Sequence, residues 1–232
     1  MSHAFDLVPA LVEVSDGSRF PVRRIFCVGK NYADHAREMG GDPEREPPFF
    51  FSKPADAVIA GNAEIPFPPR TANLHHEIEL VVAIGKGGSD IPVETALEHV
   101  FGYAVGNDLT RRDLQAEAKA DGRPWDMAKG FDNSAVVSPL RPVGEVGHPG
   151  RARIWLSVNG ALRQDGDIAE MIWPVPAIIA ELSTYVELAP GDLILTGTPA
   201  GVGRIERGDR IEGGIDGIGE LGVCFQEVVH PA

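Results

Sequence analysis

The stretch Asn73-Leu74-His75-His76-Glu77-Ile78-Glu79-Leu80-Val81-Val82-Ala83-Ile84-Gly85 decides the fold. Its second half is apolar, rich in β-branched residues and closed by a glycine, the pattern of a buried strand. Side chains alternate between the two faces of a strand. Glu77 and Glu79 therefore share one face, with His75 in line behind them, and Ile78 and Leu80 take the other. Two carboxylates beside an apolar run repel each other and lose hydration, so burial requires positive charge between them. A divalent metal would supply it. A solvated face of an antiparallel sheet is the competing reading, and the stretch alone leaves both open.

Outward from this strand the chain is punctuated by short elements. Residues 1–22 read as an arm or hairpin, with Val12 and Val14 alternating around Glu13 and a turn at Asp16-Gly17. Arg24 to Gly29 reads as a short buried strand. Asn31 to Gly41 reads as a helix capped by Asn31 and stopped by Gly40-Gly41. Between Asp42 and Pro69 the chain is proline-rich, with one strand candidate from Pro47 to Phe51 leading to Lys53. Residues 93–99 could form a helix feeding a strand from Val100 to Gly106. Thr110 to Lys119 reads as a helix that places Arg112 and Gln115 on one face. Residues 122–150 read as loop. Asn159-Gly160 marks a hairpin with a type I′ turn, residues 174–186 a helix, and Leu193 to Thr196 a strand. Many short strands and few helices predict a mainly β fold of the α+β kind.

The chain has 232 residues, 43% of them hydrophobic, enough for one sizeable domain. Its 21 basic residues face 34 acidic ones, a net charge of −13. That balance argues against nucleic acid and anionic membrane as partners, and an anionic substrate would need locally placed positive charge. Cys27 and Cys224 lie in apolar runs and read as buried thiols of a reducing compartment. No signal peptide or membrane-spanning run is visible, so a cytoplasmic location is expected.

Glu77, Glu79 and Asp108 are hard oxygen donors, suited to Mg²⁺, Mn²⁺ or Ca²⁺ rather than zinc. By spacing alone Asp108 reads rather as a helix N-cap before Leu109-Thr110. His35 and Glu38 stand one helical turn apart, so Glu38 can orient the imidazole of a general base; an ordinary surface pair has the same spacing. Gly197 to Gly203 lacks the features of a phosphate-binding loop and suits close approach of backbone to a ligand. No serine nucleophile elbow is present.

Longer runs carry more than spacing. They are Val28-Gly29-Lys30-Asn31-Tyr32-Ala33-Asp34-His35-Ala36-Arg37-Glu38-Met39, Phe51-Ser52-Lys53-Pro54, the strand with His75-His76-Glu77-Ile78-Glu79-Leu80, Asn107 to Gln115, Pro124-Trp125 through Ala128-Lys129, Val158-Asn159-Gly160, and Gly191-Asp192 through Gly203. Through them the chain closely resembles the fumarylacetoacetate hydrolase family, and within it the acylpyruvate-type hydrolases. Lys30 departs from a common arginine, and Gly130 from a bulkier residue or alanine.

The resemblance implies a mixed β-roll of several small sheets with few short helices, a single catalytic domain over residues 23–232, and a homodimer. It implies Glu77, Glu79 and Asp108 as ligands of Mg²⁺ or Mn²⁺, with Ca²⁺ as an in-vitro substitute. It makes His35 and Glu38 a water-activating pair on a lid helix hinged at Gly40-Gly41. Lys129 becomes catalytic, Arg112, Gln115, Thr198 and Gly197 substrate-binding, and Lys53 a further candidate. The implied substrate is a 2,4-dioxo acid cleaved at a carbon–carbon bond. The segments Pro21 to Gly29, Arg45 to Phe51 and Gly147-His148-Pro149 look most like those of fumarylpyruvate hydrolases of aromatic-acid catabolism, whose products are fumarate and pyruvate. Oxaloacetate decarboxylation and isomerisation in homoprotocatechuate breakdown use the same scaffold. A catalytically silent cation-binding β module is the non-enzymatic alternative. A distal substrate carboxylate would need a cation, with Arg23, Arg24, Arg45 and Arg123 as candidates.

Overall fold

The computed structural model describes residues 4–38 and 48–227. Its centre is the strand Ile78–Ile84, every residue of which is buried. That burial follows from packing on both faces. Ile78, Leu80, Val82 and Ile84 enter one core, together with Ile154, Leu156, Ile211 and the helix residues Ile178 and Leu182. Val81 and Ala83 enter a second core with Ile25, Cys27, Leu193 and Leu195. Each fully buried aliphatic side chain contributes about 1.5–3 kcal/mol, so a strand buried on both faces resists displacement.

Around it runs an eight-stranded sheet. Its main path is Phe49–Lys53, Arg24–Gly29, Asp192–Leu195, Ile78–Ile84, Val100–Asp108, Ala135–Val137 and Val58–Ala60; Arg141–Pro142 pairs with Val100–Asp108 off that path. Arg24–Gly29 runs parallel to Asp192–Leu195, and most other neighbours are antiparallel. A five-stranded sheet packs across the first core, in the order Ala161–Asp167, Arg153–Val158, Arg210–Ile215, Gly219–Phe225 and Ala63–Ile65. Leu74–His76 lies between Thr110–Arg111 and Gly203–Ile205 in a three-stranded sheet. The result is mainly β, as the sequence pattern predicts, and is the curled multi-sheet roll that the resemblance implies.

The N-terminal hairpin is present, with Leu11–Glu13 paired to Arg19–Pro21. It is anchored, since Val12, Val14 and Phe20 enter the second core. Asn159 and Gly160 both take positive φ, 51° and 77°, as a type I′ turn requires. The helix Val175–Tyr185 follows Pro174 as expected.

Several expectations need correction. Residues 122–150 are not all loop: Ala135–Val137 is a fully buried strand, paired antiparallel to Val100–Asp108 and parallel to Val58–Ala60. Only three residues long, it is made a strand by partners distant in the chain. Residues 93–99 contain only a 3₁₀ turn, Ala96–His99. Thr110 belongs to a short strand, and the helix begins at Arg112. Asn31 does not cap the helix Ala33–Glu38: its amide donates to the carbonyls of Trp173 and Thr196 and accepts from Trp173 N–H. Cys27 is buried, whereas Cys224 is half-buried. Gly40 and Gly41 lie outside the described residues.

Candidate active site

Glu77 stands where the chain passes from the three-stranded sheet, at His76, into the eight-stranded one, at Ile78. Its N–H donates to the Asn107 Oδ1 (2.9 Å), and its carbonyl accepts from Asp108 N–H (2.9 Å). These two bonds hold Asp108, the last residue of Val100–Asp108, beside Glu77. Glu79 is fixed from the other side, where its Oε2 accepts from Gly197 N–H at 2.7 Å. The three side chains are 5%, 2% and 0% exposed, and one oxygen from each lies within 4.8 Å of the others. Asp108 makes no helix cap.

Three cations face them. Lys129 Nζ, from the short helix Asp126–Lys129, bridges Glu77 Oε2 at 2.8 Å and Asp108 Oδ2 at 2.7 Å. Arg112 pairs with the other Glu77 oxygen and donates to Gln115 Oε1 at 2.7 Å. Lys53 Nζ lies 2.7 Å from Asp108 Oδ1 and donates to the carbonyls of Leu109 and Lys129. Burial would push the Glu77 carboxyl up, but Lys129 and Arg112 outweigh it and hold Glu77 well below the usual carboxylate range. Burial would likewise lower the Lys129 ammonium, yet Asp108 and Glu77 raise it. Glu79 differs. Burial, and then the neighbouring Asp108 and Glu77 charges, push it well above the ordinary range, with only the more distant Lys129 and the Gly197 N–H in opposition. The cluster is short of positive charge at Glu79. A hard divalent cation among these three carboxylates fits that deficit and the donor chemistry.

Glu77, Glu79, Arg112, Gln115, Lys129 and Thr198 line one cavity of about 30 Å³, and His35 looks into it from the helix Ala33–Glu38. His35 Nδ1 is 3.2 Å from Glu38 Oε2. With Nδ1–H donating there, Nε2 is left as the acceptor. The sequence candidates therefore converge, with two changes of place. Lys53 is fully buried behind Asp108 and does not line the cavity. Gly197 meets Glu79 through its N–H, and a Cβ there would stand 2.7 Å from Asn31 Cβ, so its service is to bring backbone up to a carboxylate.

Four residues of the site escape sequence reasoning in whole or part. Gln164 is completely buried; its amide donates to Thr198 Oγ1 and the Pro199 carbonyl, both at 2.8 Å, and accepts from His76 Nδ1 and Ile78 N–H. Because Thr198 Oγ1 accepts from Gln164, its own proton is free to donate into the cavity. Asn107 fixes Glu77, and no local pattern announces either amide. Trp125 and Lys119 also line the cavity. Lys119 follows Arg112 by seven residues and Gln115 by four on one helix, a spacing visible in the sequence. Arg23 and Arg24 are paired with Asp192, away from the cavity. Arg45 lies outside the described residues.

A curled multi-sheet β fold closed around buried hard-oxygen donors, with cations and a histidine at hand, has the make-up of an enzyme scaffold for small molecules. Residues 24–226 match the model of the fumarylacetoacetate (FAA) hydrolase C-terminal domain, and the chain belongs to that family, whose members are enzymes. The crystal structure of a fumarylpyruvate hydrolase from Pseudomonas aeruginosa, in complex with Mn²⁺ and pyruvate, is 55% identical, with a TM-score of 0.96 over 98% of this chain and 100% of that one. A mitochondrial oxaloacetate tautomerase from Mus musculus is 46% identical over 84% of this chain and 88% of its own length. A 5-carboxymethyl-2-hydroxymuconate delta-isomerase from Mycobacterium smegmatis is 33% identical, with a TM-score of 0.78 over 90% of this chain and 83% of that one.

Proposed function

We propose that this protein is a metal-dependent acylpyruvate hydrolase that cleaves fumarylpyruvate to fumarate and pyruvate. The observation that carries the reading is the meeting, at one cavity, of His35, which Glu38 holds, with Glu77 and Glu79 of the carboxylate cluster and with Lys129, Arg112 and Gln115. The 55% identity to a fumarylpyruvate hydrolase supports the same choice. Mg²⁺ or Mn²⁺ held by Glu77, Glu79 and Asp108 would act as a Lewis acid toward the 2-oxo acid end of the substrate.

The residues of the chain supply the rest. Thr198 donates its hydroxyl proton to the substrate carboxylate, and Arg112 with Gln115 orients the dioxo segment. His35 Nε2, with Nδ1–H held by Glu38, takes a proton from water as the water oxygen bonds to C4. The C3–C4 bond then breaks, its electron pair passing to C3 and the 2-oxo oxygen. The Lys129 ammonium stands where that negative charge develops. His35 returns its proton to C3, and pyruvate and fumarate leave. A cytoplasmic location and a homodimer belong to the same proposal; light scattering in solution tests the latter.

The test is pyruvate release with Mg²⁺ or Mn²⁺ on fumarylpyruvate, acetylpyruvate and oxaloacetate in parallel, with an EDTA control. Preference for fumarylpyruvate, abolished by EDTA, is expected. A second reading, keto–enol interconversion of oxaloacetate, is favoured by the 46% identical relative. It requires proton transfer without addition of water, so fast enolisation of oxaloacetate with no cleavage of either acylpyruvate would replace the hydrolase reading. A silent cation-binding module would bind metal equally well with and without a pyruvate analogue.

A further inference from the structure

The helix Arg112–Ala120 presents three polar residues along one stripe: Arg112, Gln115 and Lys119. At 3.6 residues per turn, positions seven apart face the same way. All three line the cavity, and they differ in what already holds them. Arg112 is tied to Glu77 and Gln115. Lys129 is tied to Glu77 and Asp108, and Lys53 is sealed behind Asp108. The partner of Lys119 among the described residues is an aromatic face, the Trp125 ring 5.1 Å from its Nζ.

Seven residues of helix advance about 10 Å from the turn that holds the carboxylate cluster. The order of chemistry along the stripe is therefore fixed: Arg112 at the cluster, Gln115 next, Lys119 outermost. The cavity adjoins a wider chamber of about 410 Å³ that shares Phe49, Phe51, Trp125 and Lys129 with it. Trp125 packs edge-on against Phe49 and Phe51, with ring centroids 5.5 and 5.7 Å away. This makes an apolar aromatic wall beside the ammonium. A planar, unsaturated acyl chain fits against such a wall, and a terminal carboxylate fits at its charged end. Lys30 lines the same cavity with a left-handed backbone, φ 55°, an uncommon conformation for a lysine and one that clusters at functional sites. Burial, and the charges of Arg112 and Lys30, lower the Lys119 ammonium against the opposing charge of Glu77.

We propose that Lys119, set against Trp125, binds the distal carboxylate of a dicarboxylic acylpyruvate and thereby selects fumaryl over neutral acyl groups. The inference rests on the acylpyruvate reading and adds to it a specificity residue. It also takes the place of three of the arginines that the sequence offered, Arg23, Arg24 and Arg123. Arg23 and Arg24 are committed to Asp192, and Arg123, 3.3 Å from Asp121 and largely exposed, lines only the outer chamber.

The experiment compares kcat/KM for fumarylpyruvate and acetylpyruvate, which share the dioxo acid and differ in the distal carboxylate. In K119Q the ratio of the two should fall roughly 10- to 100-fold, the weight of one charge-assisted contact. K119R should retain most of the ratio, and R123Q all of it. An unchanged ratio in K119Q, or collapse of the ratio in R123Q alone, overturns the assignment. A second arm uses calorimetry of fumarate binding to the Mn²⁺- and pyruvate-loaded protein, wild type against K119Q. Weaker binding by the variant supports the site, and equal binding overturns it. If wild type cleaves neither acylpyruvate, the hydrolase reading fails, while the fumarate arm still decides the anion site.

Discussion

At His35 the geometry separates two effects that a single substitution normally mixes. The imidazole lines the cavity and is held by Glu38, but it is not among the three residues whose oxygens converge. His35→Ala should therefore lower kcat by about 10²- to 10⁴-fold while Mn²⁺ affinity, read by calorimetry, stays put. Full activity in the variant would remove the histidine from the mechanism. Gln164 makes a different kind of prediction. It never meets solvent, and its amide sets which way the Thr198 hydroxyl points. Gln164→Leu leaves His76 Nδ1 and Ile78 N–H without their acceptor, a loss of about 1–3 kcal/mol that thermal unfolding would register. Its KM should rise as well. If the effect on KM runs through Thr198, Gln164→Leu should add little to KM in a Thr198→Val background, and full additivity would deny that route.

The strand pair that walls the cavity depends on one glycine. Gly29, at the end of Arg24–Gly29, lies under the Phe49 ring, and a Cβ there would come within 2.0 Å of a ring carbon. Phe49 pairs with Gly29 across the sheet and packs against Trp125. Gly29→Ala must displace the ring, and with it the apolar wall. The expected result is a clear loss of kcat/KM on fumarylpyruvate with a modest fall in melting temperature, since the strand itself remains paired on both sides. Unchanged kinetics would mean that the wall does not touch substrate.

Across the whole molecule, the cluster joins segments far apart in the chain: Lys53, Glu77 to Glu79, Asp108, Arg112, Lys129 and Gly197. Such a site should feed back on stability. Because Glu79 lacks a matching cation, added Mn²⁺ or Mg²⁺ should raise the melting temperature by mass action, about 2.7 kcal/mol at a hundredfold excess over Kd. Differential scanning calorimetry of wild type and Glu79→Gln would show it, with the metal-dependent shift small or absent in the variant. A shift of equal size in both would place the ion elsewhere. Among the described residues no helix is long and apolar enough to cross a membrane.

The sequence by itself determined the elements whose signals are local. Alternation and β-branching marked Ile78–Ile84, the glycine after an asparagine marked the turn at Asn159-Gly160, and proline marked the start of Val175–Tyr185. It also placed Glu77 and Glu79 on one face, because strand periodicity is a property of the backbone alone. Tertiary structure decided the rest. Ala135–Val137 is a strand because two distant strands bind it. Asp108 is a cluster residue rather than a cap because the Glu77 carbonyl holds its N–H there. Asn31 ties two loops instead of capping a helix, and Lys53 neutralises Asp108 instead of facing the cavity. In each case the deciding partner lies tens of residues away. Short-range propensity cannot register a buried polar group's demand for that partner, because the demand arises only once the chain has closed around it and excluded water.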